Sequence, residues 1–168
     1  MSEPLPSHSP NSSASNAASG SSSLGVNPTS RRGLARRLTV QAVYQWILNQ
    51  TAPETLIKEF REMPDGLGRA DPEYFGELLR GTVADAATLT TQIVPHLDRP
   101  LNQLDPVEYA VLLMAVYELN NRPEVPYRVV VNEAVNLAKV FGAEDGYKFV
   151  NGVLDKIARQ VRAIEIGG

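Results

Sequence analysis

Cysteine is absent from the 168 residues, and histidine occurs only as His8 and His96. No disulfide framework can form, and the thiolate and imidazole ligands of an ordinary zinc site are missing. A reducing, cytoplasmic setting fits that composition. Long hydrophobic runs are lacking too: nothing approaches the roughly 20 consecutive apolar residues of a membrane-spanning helix, and no apolar core of a signal peptide follows the polar start. The expectation is a soluble, unexported chain with no membrane partner. The motifs of catalysis are also missing. There is no phosphate loop ending in Gly-Lys-Ser/Thr, no Gly-x-Ser-x-Gly elbow and no His-Glu-x-x-His, and Gly66 and Gly68 lack the third glycine of a dinucleotide site. No enzyme activity, metal or cofactor is therefore expected. His96 reads as a structural or surface histidine, and the adjacent acids Glu144 and Asp145 as cap and dipole partners of a helix start.

What is present is unevenly distributed. The net charge is −3, yet residues 1–37 contain one acid, Glu3, against Arg31, Arg32, Arg36 and Arg37, so this end is net +3 and the remainder −6. A basic arm on an acidic body suits contact with a polyanion at one end and with something else at the other. A solvated end that aids solubility is the competing reading. Residues 1–30 are dominated by Ser, Asn, Pro and Gly, a composition with little to offset the entropy of ordering, and read as a disordered tail.

From residue 31 onward the apolar spacing of three and four, with Pro and Gly gathered at a few breaks, predicts an all-α fold. A first helix is expected from about Arg32 to Asn49, with Leu38, Val40, Ala42, Val43, Trp46 and Ile47 wrapping most of its surface. A short second helix follows Pro53. A third begins at Asp71-Pro72-Glu73 and runs towards His96. Asp105, Pro106 and Glu108 form a capping-box signal for a fourth, whose Tyr109–Tyr117 stretch is almost unbroken apolar sequence and should be central. A fifth begins near Pro126 and stops at Gly142, and the last runs from about Gly146. Two small helical bundles sharing an interface, about 31–98 and 104–168, are the expected assembly.

Two basic, aromatic-flanked regions are candidates for RNA binding. On the first helix Arg37, Gln41 and Tyr44 fall at i, i+4 and i+7, so they share a face that offers charge for phosphates, an amide for base edges and a ring for stacking. The alternative is a polar face with Tyr44 packed inward. The second region is the elbow from Phe141 to Phe149. Its glycine-rich turn should open main-chain N–H groups to an anion, with Lys148 in support and Glu144 and Asp145 in opposition. Phe141 and Phe149 are stacking candidates there, although phenylalanines so placed are ordinarily core.

The stretch VPYRVVVNEAVNLAKVFGAEDGYKFVNGVLDKIAR, Val125 to Arg159, resembles the C-terminal signature of the NusB family of transcription antitermination factors. The likeness extends through LDPVEYAVLLMAVYEL, Leu104 to Leu119, and TVQAVYQW, Thr39 to Trp46, behind an arginine-rich start. It implies an all-α NusB-like fold of two helical subdomains that binds boxA-type RNA of nascent ribosomal RNA transcripts. The implied partners are the ribosomal protein NusE and, beyond it, NusA, NusG and RNA polymerase; a homodimer is compatible. Carried over residue by residue, the resemblance nominates Arg31, Arg32, Arg36, Arg37, Gln41, Tyr44, Phe141, Asp145, Lys148 and Phe149 for RNA, and Glu108 with its helix surface for NusE. The arm departs from the family pattern, since Gly33 and Leu34 interrupt RRGLARRL. Two other classes compete. One is a purely protein-binding bundle; the other is the helical accessory domain of an RNA methyltransferase, against which stand the missing cysteine and glycine-rich cofactor loop.

Overall fold

A computed structural model describes residues 30–167, and within them every regular element is helical. The disordered tail expected over residues 1–30 lies, Ser30 apart, outside the described residues. Helix α1 (Arg31–Asn49) starts where the Ser30 Oγ accepts the Gly33 N–H at 2.9 Å, and it ends on Gln50 in the left-handed region, φ 57°. Helix α2 (Pro53–Arg61) opens on a proline, whose missing N–H is no loss in the first turn. Helix α3 (Pro72–Ala84) is capped by Asp71, which accepts the Tyr74 N–H at 3.0 Å.

The third helix does not run unbroken to His96. Asp85, at φ −97° and ψ 7°, leaves the helical region and separates α3 from α4 (Ala86–Ile93), and a 3-10 turn covers Val94–His96. The break redirects α4 so that Ala86, Leu89 and Ile93 are buried. A second 3-10 turn, Leu101–Gln103, leads to α5 (Pro106–Asn121). Asp105 caps α5 by accepting the Val107 N–H at 2.7 Å, but the Glu108 carboxylate does not complete the box; it accepts the N–H of Ala143 across the molecule.

Every residue of α5 from Ala110 to Leu119 is buried, and the helix packs on α1, α3, α4, α6 (Tyr127–Phe141) and α7 (Gly146–Val161). This all-round burial explains the unbroken apolar run. A short α8 (Ala163–Ile166) follows α7. No helix among the described residues is long and apolar enough to cross a membrane.

Candidate nucleic-acid interface

The four arm arginines sit on one helix but have different surroundings, because successive residues on a helix are turned about 100° from each other. Arg31 is exposed. Arg32 is half-buried with its guanidinium 4.1 Å from the centre of the Tyr74 ring, a ring that Arg122 also meets at 5.1 Å. Arg36 is removed from the RNA-facing set altogether. Its side chain is 5 % exposed, its Nε donates to both Glu118 oxygens at 3.0 Å, its Nη2 donates to Glu118 Oε2 at 2.7 Å, and its Nη1 lies 3.5 Å from Glu133 Oε1. The Tyr74 hydroxyl donates to the same Glu118 oxygen, so one network joins α1, α3, α5 and α6. A guanidinium so buried and turned onto two carboxylates is not presented to a phosphate outside. Burial and the Glu118 charge hold the Tyr74 hydroxyl well above the ordinary phenol range.

Arg37 points the other way, and its exposed guanidinium lies 5.2 Å from the centre of the Phe141 ring at the end of α6. Beside this pair is a cleft of about 390 Å³ lined by Val40, Gln41, Tyr44, Gln45, Val107 and Phe141. Gln41 is partly exposed and donates weakly to the Arg37 carbonyl at 3.3 Å. Tyr44 and Phe141 are half-buried, each packed on the core while still lining the cleft. The first-helix face and the elbow therefore meet here.

In the elbow, Asp145 adopts the left-handed conformation at φ 66°, an option open to Asp at modest cost. The expected display of open N–H groups is reduced: Gly146 donates to the Ala143 carbonyl at 2.9 Å, Lys148 to the Asp145 carbonyl at 3.1 Å, and Ala143 to Glu108. Asp145 and Lys148 are both exposed, with Nζ 3.5 Å from Oδ1. Phe149 is half-buried under the guanidinium of Arg99, 4.6 Å from the ring centre.

Glu108, nominated as a partner contact, is only 3 % exposed. A Cβ on Gly146 would stand 1.9 Å from its Oε2, so the carboxylate fills the space that this glycine leaves. Burial foremost, and then the Asp105 charge, push the Glu108 carboxyl above the usual carboxylate range, while Arg99 and the Ala143 N–H pull it down. It lies beneath the elbow and supports it, and at that burial it offers little surface to a protein partner.

The family model described as the NusB family matches residues 34–159. The chain belongs to the NusB family. That match takes in both the cleft and the elbow but stops short of Arg31 and Arg32. The transcription antitermination protein NusB of Ralstonia nicotianae is 49% identical over 139 residues, 83% of this chain and 89% of the relative. Among solved structures, T. maritima NusB superposes with a TM-score of 0.68 at 30% identity, covering 79% of this chain and 92% of that one. A crystal structure of the antitermination factors NusB and NusE in complex with double-stranded RNA gives 0.65 at 29%, covering 76% and 95%.

Sequence reasoning passed over Arg99, Gln45 and Val107. Arg99 falls in the Leu97–Leu104 connection, which has no periodicity from which to place a side chain. One signal was available: Arg99 is the only Lys or Arg between Arg80 and Arg122.

Proposed function

We propose that this protein is an RNA-binding transcription antitermination factor that engages boxA-type RNA of nascent ribosomal RNA transcripts together with NusE, within an assembly that includes NusA, NusG and RNA polymerase. The observation that carries the reading is the meeting of Arg37, Gln41 and Tyr44 of α1 with Phe141 of the elbow around one cleft. A cation, an amide and two rings at one place supply the phosphate, base-edge and stacking contacts that unpaired RNA requires. The complex of NusB and NusE with double-stranded RNA among its structural neighbours supports NusE and RNA as partners. Arg31, Arg37, Gln41, Tyr44, Phe141, Lys148 and Phe149 are the proposed contacts, with Asp145 shaping the turn; Arg32 stands at the edge of the arm and Arg36 behind it.

Titrating labelled boxA-type RNA with the protein, with and without NusE, tests this directly. Expected are salt-sensitive binding and tightening by NusE. Equal affinity for a scrambled RNA in the presence of NusE overturns it.

A further inference from the structure

The elbow carries a second ring–guanidinium pair that the α1 face does not use. Arg99 comes from the connection between α4 and α5, and its guanidinium lies over the Phe149 ring at 4.6 Å. It is exposed, with a side-chain contact to its neighbour Asp98 at 2.7 Å. Beneath the pair is a cleft of about 340 Å³, within the size range of small-ligand sites. This cleft adjoins the first one across the start of α5, because Val107 lines one while Asp105 and Glu108 line the other. An RNA strand lying over Phe141 is therefore beside it.

The chemistry of the two clefts differs. The first has no carboxylate among its lining residues, whereas the second has Asp105, Glu108, Glu144 and Asp145 around the single cation Arg99. A phosphate is repelled by such a lining. A nucleobase is neutral, stacks on a ring or on a guanidinium plane, and offers exocyclic amino donors that carboxylates accept.

We propose that this second cleft is a nucleobase subsite in which Arg99, stacked on Phe149, forms the wall for one unpaired, amino-bearing base. The subsite rests on the RNA-binding reading above and extends it to selectivity. Arg99 positions the base through its flat face, with its charge secondary, and cytosine, adenine or guanine is accepted there in preference to uracil.

The test is a fluorescence-anisotropy titration of the full chain with NusE, using boxA-type RNA and a series in which each amino-bearing base is replaced singly by uridine. For Arg99→Ala the expected result is affinity about tenfold weaker, the scale of one lost stacking contact, at an unchanged melting temperature. Arg99→Lys should lose nearly as much, since an ammonium has no planar face. Both variants should keep the wild-type salt slope, and the uridine penalty at one RNA position should disappear. Full affinity in Arg99→Lys, with a shallower slope only in Arg99→Ala, marks a phosphate contact and overturns the subsite. Wild-type affinity and an intact uridine profile in both variants also overturn it. In either case loss of binding by Arg37→Ala leaves the RNA-binding reading standing, whereas a wild type that does not distinguish scrambled RNA removes that reading itself.

Discussion

Replacing Arg36 by alanine leaves Glu118, whose side chain is 1 % exposed, without the guanidinium that neutralises it. An uncompensated buried charge costs about 3–5 kcal/mol, so Arg36→Ala should lose about that much in urea denaturation, and RNA affinity should fall only as the folded fraction falls. A variant of normal stability that has lost RNA binding would return Arg36 to the surface set. Glu108 offers a pH-dependent case. Its carboxyl titrates above the ordinary range in the folded protein, so the folded state takes up this proton more readily than the unfolded chain does. The protonated group therefore favours folding below the ordinary carboxylate value, and that contribution is lost as pH rises through the elevated one. Glu108→Gln should accordingly be more stable than wild type at neutral pH, with the gap closing on acidification; denaturation midpoints across pH 4 to 7 measure it. These residues also show the limit of reading charge from sequence. Helical spacing sets Arg36 on the stripe of Val40 and Val43 and Arg37 on that of Gln41 and Tyr44, but the carboxylates that neutralise Arg36, Glu118 and Glu133, lie 82 and 97 residues away and are not legible locally.

Among the elements, the elbow depends on a close approach between helices. A Cβ at Gly146 would come within 2.7 Å of the Glu108 Cδ as well as 1.9 Å of Oε2. Overpacking of this kind costs about 1–3 kcal/mol. Gly146→Ala should destabilise by that amount and weaken RNA binding by displacing Phe149, whereas Gly146→Ala with Glu108→Ala should recover part of both. Thermal melts and RNA titrations on the single and double variants read the coupling. The helices themselves were legible where local chemistry sets a boundary. Asp71 and Asp105 act as caps with Pro72 and Pro106 behind them, and Gly142 follows the end of α6, whereas the Ser30 cap of α1 fell in the stretch read as tail. The break at Asp85 was not legible, since no proline or glycine marks it and the apolar spacing continues on both sides. The cap at Asp105 was visible, but the role of Glu108 was not, because its partner lies 35 positions further on in the elbow.

At the scale of the whole molecule, a basic arm beside an acidic remainder separates two kinds of contact. Phosphate contacts release counterions, so each one sets part of the slope of log affinity against log salt concentration. Arg37→Ala should reduce that slope by about 0.7 for unpaired RNA and weaken binding to every sequence alike; an unchanged slope would place Arg37 on a base. The common face of Arg37, Gln41 and Tyr44 was legible, since helical periodicity alone groups them, but its meeting with the elbow does not follow from that periodicity. The second cleft was not legible, because it is assembled from a connection, a helix start and a turn that have no common period. Arg36 also bears on the behaviour of its neighbour in sequence. The Arg37 guanidinium, the proposed phosphate contact, is carried on the same turn of α1 as one locked into three other helices, so the arm cannot slide, rotate or peel away without exposing buried charge. The arm should therefore keep its amide protection up to the global unfolding transition, with no earlier stage in which the arm alone has melted, as hydrogen exchange on warming would show.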